Sequence, residues 1–189
     1  MLPFVFKVCV EEDPRNKKLG LDILASLSLE VGAEAIIPLL EHLQPVFAQA
    51  LCAPHPVQVR VACLKTVASI VPHVVEKEHR AQQQALQGLL PACFSVLHEA
   101  LSTGDMLHAK DCLSSFVDIA STDAGFLRPH VDTLLSAAFG VAGANVDENV
   151  RPLGLELMIS FAEGKPVLYC HLASCLHPHI RLVPPYRLA

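Results

Sequence analysis

The sequence predicts an all-α fold, a right-handed α-solenoid of about four antiparallel helix pairs. The first observation behind this is a repeated phrase. DPRNKKLGLDILASLS at 13–28 and DENVRPLGLELMISFA at 147–162 share a Leu-Gly-Leu-acid centre at an offset of 134. Weaker copies stand at 56–71 (PVQVRVACLKTVASIV) and 105–120 (DMLHAKDCLSSFVDIA), so the starts are 43, 49 and 42 residues apart. The second observation is composition. Hydrophobic residues make up 52%, aromatics only 5%, and there is no Trp, which favours helix-on-helix packing over a sheet sandwich. The third is that apolar stretches of helical period, such as LLEHLQPVFAQAL and LLPACFSVLHEAL, lie between the copies.

Spacings of this size are those of HEAT and armadillo units. The chain divides on this reading into HEAT repeats at about 1–34, 35–78, 79–125 and 126–166, followed by an irregular tail at 167–189. First helices are expected near 2–11, 37–52, 82–101 and 128–143. Pro38 and Pro129 suit helix starts, while Pro45 and Pro91 predict a kink or a late start. The segment EKEHRAQQQ at 76–84 accounts for the longest spacing, as a helix extension or a link.

The repeated phrases are the second helices. Asp13, Asp105 and Asp147 stand where an N-cap carboxylate accepts first-turn amides, and Pro14 fits the first helical position. Pro56 replaces the aspartate in the second copy, so that cap is weaker. Leu19, Leu21, Ile23, Leu24, Leu27 and Val31 form an apolar face wide enough for several neighbours. One slot holds Gly20, Cys63, Cys112 and Gly154 in the four copies, a tight helix-packing position.

A polar line remains at i, i+4 spacing: Lys18, Asp22, Ser26 and Glu30 in the first copy. It continues as Val61, Lys65, Ser69 and His73, then Lys110, Ser114, Asp118 and Thr122, then Pro152, Glu156, Ser160 and Gly164. The line is expected to face solvent on the concave surface. Lys18, Asp22, Lys65, Lys110, Ser114, Asp118 and Glu156 are its candidate partner-binding residues. Lys17, Arg60 and Arg151 share another aligned position and are expected to form an inter-repeat ladder with acids of the next repeat.

The pattern LLPACFSVL…KDCLSSFVDIASTDAGFLRPHVDTLL…VRPLGLELMISFAE resembles the karyopherin-beta nuclear import receptors, in the branch of importin beta-3 (importin five) and importin four. The similarity covers about residues 1–166 and is strongest over 85–166. The resemblance implies a HEAT superhelix that binds basic or structured protein cargo in the cytoplasm. Such receptors cross the nuclear pore on Phe-Gly nucleoporins and release cargo to Ran-GTP in the nucleus. Family members are several times longer, so the chain is expected to be an internal piece of the N-terminal arch. Ran contact uses the earliest repeats and is expected of the full-length receptor rather than of this piece. Phe side chains of nucleoporins are expected to enter outer grooves near Leu40 and Phe47 and near Phe94 and Leu97. The competing reading is a HEAT scaffold of a phosphatase, chromosome or cytoskeletal complex.

Other classes fit poorly. A net charge of -5 with scattered signs argues against a nucleic-acid groove. No apolar run reaches the roughly 18 residues of a membrane span. Phosphate-loop, dinucleotide and nucleophile-elbow motifs are absent from the sequence. The seven cysteines include no C-x-x-C pair and read as reduced thiols. The tail cluster Cys170, His171, Cys175, His177 and His179 fits no standard zinc spacing. The reading is therefore a non-enzymatic binding protein without cofactor or metal.

Overall fold

A computed structural model of the chain describes residues 2–52, 54–143 and 147–164. The described residues are helical and contain no strand. Four helix pairs follow one another. Helix α1 (Leu2–Cys9) pairs with α2 (Pro14–Glu30). Helices α3 (Ala33–Ile36) and α4 (Leu40–Leu51) precede α5 (Val57–Ile70). Helices α6 (Arg80–Gln87) and α7 (Leu90–Thr103) precede α8 (Met106–Asp123), and α9 (Val131–Ala142) precedes α10 (Arg151–Gly164). The second helices α2, α5, α8 and α10 pack in sequence, each on the next.

The starts of these helices show which caps operate. Asp13 Oδ1 accepts the Arg15 amide at 3.0 Å, with Pro14 opening α2. Asp105 accepts the His108 amide at 3.3 Å. Pro56 opens α5 with no side-chain cap. Asp147 behaves differently. Its carboxylate accepts the Asn149 amide at 2.8 Å and closes a turn, so α10 begins only at Arg151.

The prolines also separate. Pro91 stands in the first turn of α7, and the preceding α6 ends at Gln87. The late start predicted there occurs, and the segment 76–84 becomes a 3-10 turn at Lys77–His79 running into α6. Pro45 lies inside α4 without ending it. Single 3-10 turns at Ile37–Leu39 and Arg128–His130 carry Pro38 and Pro129 into α4 and α9. Between α7 and α8 the chain reverses in two residues. Gly104 adopts φ 73°, its amide reaches Leu101 O at 3.3 Å, and the Asp105 amide reaches Ala100 O at 2.9 Å. That pairing satisfies the helix's last carbonyls, and only a residue without Cβ takes the left-handed conformation without strain.

The shared Gly/Cys slot faces the partner first helix. A Cβ on Gly20 would lie 2.9 Å from the Cys9 amide nitrogen, and one on Gly154 2.8 Å from Ala138 O. In the middle pairs the same slot holds fully buried Cys63 and Cys112. Cys63 Sγ lies 3.7 Å from Phe47 O, so those helices stand far enough apart for a small thiol. Phe47, Phe116, Phe126 and Phe161 are buried within one continuous apolar core. Among the described residues, no helix is long and apolar enough to cross a membrane. The tail at 167–189, with its Cys and His residues, lies outside the described residues.

Candidate functional site

Two depressions stand out on the surface of the described residues. The first is a trough of about 710 Å³ across the second helices α2, α5 and α8. Ala25, Ser26 and Leu29 line it from α2. Lys65, Ala68 and Ser69 line it from α5, and Pro72 follows that helix. Helix α8 contributes Asp111, Ser114, Ser115, Asp118, Ser121 and Thr122.

Its chemistry is set by where protons are already committed. Ser26 Oγ donates to Asp22 O at 3.1 Å and Ser69 Oγ to Thr66 O at 2.8 Å. Ser115 Oγ donates to Asp111 O at 3.0 Å and Thr122 Oγ1 to Asp118 O at 2.9 Å. Each hydroxyl carries one proton, so none of the four has a proton left to donate. Ser69 Oγ also accepts from Ser28 Oγ at 2.7 Å and Ser115 is buried, which leaves Ser26 and Thr122 as the hydroxyl acceptors open to a ligand. Asp111 and Asp118 add carboxylate acceptors. The cation lining the trough, Lys65, reaches from α5 to α8 and holds Asp111 Oδ2 at 2.8 Å. Asp118 is pushed above the ordinary carboxylate value by partial burial and then by the charge of Glu156. The surface is therefore rich in acceptors and suits a ligand rich in donors.

The predicted polar residues divide on this geometry. Lys65, Ser114 and Asp118 come together in the trough, with Glu156 close enough to act on Asp118. Lys110 and Glu156 are exposed but do not line it. Lys18 and Asp22 pair with each other at 2.5 Å on α2. The expectation of one solvent-facing i, i+4 line needs correction. Val61 is buried at 3% exposure, and the trough takes in Asp111, Ser115, Ser121 and Leu29, which the line omits. A step of four residues turns about 400°, so an i+4 line drifts about 40° around the helix each time. The real face mixes steps of three and four: Asp111, Ser114 and Ser115, Asp118, then Ser121 and Thr122.

The second surface is an apolar groove of about 660 Å³ between the first helices α7 and α9. Phe94, Leu97, His98 and Leu101 face Thr133, Leu134, Ser136 and Ala137 across it. Phe94 is braced from behind: its ring stacks on Phe116 at 5.1 Å and meets His130 edge-on at 5.3 Å. The other expected pair does not form such a groove. Phe47 is 0% exposed, Leu40 3% and Leu97 2%, so all three belong to the core. What differs is that Leu97 underlies a large groove walled by half-buried Phe94 and Leu101, whereas the depression beside Leu40 is only about 100 Å³.

The basic ladder residues meet unlike partners. Arg60, 5% exposed, donates from Nε to Leu51 O at 3.0 Å and from a terminal nitrogen to Glu99 at 2.5 Å, joining α5 to α7 of the next pair. Lys17 is buried, and its Nζ lies 3.4 Å from His55 Nε2, where an acid was expected. Arg151 is half-buried at the start of α10. Burial pushes the Cys9 thiol up to about 11 and the Cys112 thiol to about 12, and it raises Cys63 and Cys93 further, which removes the thiolate needed for nucleophilic chemistry. Among the described residues, no group of three or more His, Cys, Asp or Glu is placed to hold a metal ion.

With this geometry in place, the comparisons give the lineage. The crystal structure of Kap121p bound to Nup53p matches with a TM-score of 0.66 at 17% identity, over 88% of this chain and 16% of that one. A Kap121p mutant with three acidic residues replaced by lysine matches with a TM-score of 0.66 at 16% identity, again over 88% and 16%. An engineered protein matches with a TM-score of 0.67 at 17% identity, over 90% of this chain and 66% of that one. At these identities the likeness shows the fold alone, an α-solenoid like that of the Kap121p structures. The chain spans about 16% of the length of the Kap121p chains. No curated protein matches. The model of IPO5-like TPR repeats matches residues 1–137. The repeat spacings of 43, 49 and 42 residues exceed the roughly 34 of a TPR unit, and two of the three fall within the roughly 40 to 47 of HEAT and armadillo units. Since the match covers well over half of its residues, the chain belongs to the IPO5-like repeat family.

Proposed function

We propose that this chain is a cargo-binding section of a nuclear import receptor, working by reversible binding without catalysis. The observation that carries the reading is the acceptor-rich trough across three successive second helices, on a solenoid of importin type. An extended basic segment of a cargo protein would lie along it, with its amides and ammonium groups meeting the hydroxyl lone pairs and Asp118. Kap121p supports this by analogy. The three acidic residues changed to lysine in its mutant stand 43 and 42 residues apart, one repeat each. In this chain the repeat-aligned set is Asp22, Lys65, Ser114 and Glu156, a mixed series spaced by 43, 49 and 42 residues.

The groove between α7 and α9 is the proposed dock for Phe side chains of Phe-Gly nucleoporins, with Phe94 and Leu97 as its base. Kap121p has been crystallised with the nucleoporin Nup53p. Each such pocket is weak alone and effective in number. The receptor would shuttle between cytoplasm and nucleus through the pore, with Ran-GTP acting on the full-length protein. Immobilised Phe-Gly repeats are expected to retain the chain, and Leu101→Glu, on the half-buried wall of the groove, to release it. A scaffold of an unrelated complex would wash off in both forms, which would end the transport reading.

A further inference from the structure

We propose that Lys65 is a built-in occupant of the trough, an internal cation that a basic ligand must displace or bypass and that decides which carboxylates the ligand reads. The inference rests on the reading of the trough as a peptide site. Lys65 and Asp111 both line it, and their 2.8 Å ion pair crosses it from α5 to α8. The ammonium group therefore lies where a bound segment would run, and Asp111 arrives already neutralised. Asp118 stands seven residues further along α8, about 10 Å on. Among the described residues Asp118 makes no ion pair, and its nearest charged influence is the like charge of Glu156. The trough thus has one self-compensated end and one anionic end. A ligand cation gains most at Asp118, while Lys65 repels it at Asp111.

Displacement is feasible because the pair is held loosely. The side chains of Lys65 and Asp111 are 44% and 35% exposed, the kind of ion pair that adds little to stability. A freed Lys65 can swing into water, and a ligand ammonium can replace it on Asp111. The device tunes affinity downward and favours ligands whose charge is spaced to reach Asp118.

The test uses the whole 189-residue chain and a dye-labelled decapeptide of alternating lysine and glycine, followed by fluorescence anisotropy at low salt. Lys65→Met and Lys65→Gln are expected to tighten binding about three- to tenfold, the effect of removing one like charge several ångströms from the bound cation. Arg80→Met, exposed on α6 outside the trough, is expected to change it less than about twofold. Binding by the unaltered chain with no gain in either Lys65 variant overturns the Lys65 inference and leaves the trough reading intact. An equal gain in Arg80→Met shows an effect of net charge and overturns it as well. If no form binds the peptide, both the inference and the trough reading fall. Unchanged far-ultraviolet dichroism in at least one Lys65 variant establishes that the comparison is between folded chains.

Discussion

Asp118 concentrates the conflict between stability and binding in a single side chain. Partial burial and the neighbouring charge of Glu156 raise its proton affinity in the folded state. A carboxyl whose folded value is raised penalises folding above that value, and the penalty lifts as the pH falls and both states become neutral. Asp118→Asn removes the charge without changing the shape. It is expected to raise stability at neutral pH by no more than about 0.5 kcal/mol, since the residue is exposed. The gain should vanish in acid melts, and affinity for a lysine-rich peptide should drop roughly three- to tenfold. Weaker binding with no stability gain would place the carboxylate outside the electrostatics described here. Single residues also mark what the sequence reveals and what it hides. The shared slot of Gly20, Cys63, Cys112 and Gly154 is readable by aligning the chain with itself, because close helix approach restricts residue type. Asp111 is not readable that way, because an i, i+4 line through Ser114, Asp118 and Thr122 follows one row of the exposed face and leaves out the neighbouring row of Asp111, Ser115 and Ser121. Phe47 misleads for a related reason. Helical spacing gives it an apolar face but cannot say whether that face meets solvent or the next helix, and it meets the core.

At the scale of the element, helix starts do most of the local specification. Asp105 is the strongest example. It accepts the His108 amide at 3.3 Å, and its other oxygen lies 2.6 Å from His108 Nδ1. The His108 side-chain contact is the main cause of a carboxyl held below its ordinary value. A lowered folded value means that Asp105 stabilises α8 above the usual carboxylate range, and that this stabilisation is lost as the pH falls through the lowered value. Asp105→Ala is expected to cost about 1 kcal/mol at neutral pH, as N-cap losses do. The difference from the unaltered chain should shrink in acid, and equal differences at neutral and strongly acid pH would contradict the cap's ionic part. The aspartate caps at 13 and 105 follow from the sequence because the cap and its target lie within three residues. Asp147 departs from the pattern, since local preference alone does not decide whether an aspartate caps a helix or closes the turn before it. Pro91 and Pro45 differ for a similar reason. Pro91 falls where α6 has already ended, so it can open α7, whereas Pro45 is carried inside a helix whose flanks are buried at Leu43, Val46 and Phe47.

At the scale of the molecule, stacking governs everything else. The spacings of 43, 49 and 42 foretold the solenoid because each helix pair buries itself mainly on its neighbours, so the period of the sequence is the period of the structure. Apolar side chains nevertheless stand exposed on several second helices, Leu107 on α8 among them. Leu155 and Ile159, one turn apart on α10, are 48% and 55% exposed, and Leu19 on α2 is 56% exposed. Grouped apolar exposure on a water-facing helix drives association. The chain is therefore expected to self-associate as its concentration rises, with a melting temperature that climbs with concentration because assembly stabilises the folded state by mass action. Replacing Leu155 and Ile159 together by lysine should reduce the associated fraction in sedimentation velocity and remove most of the concentration dependence, while the far-ultraviolet spectrum stays helical. A cooperative melt of the unaltered chain that is independent of concentration, with a monomer at every loading, would show that the α10 face is not sticky. In that case the packing of α8, α9 and α10 would be self-sufficient, and stacking on further pairs would be dispensable for folding.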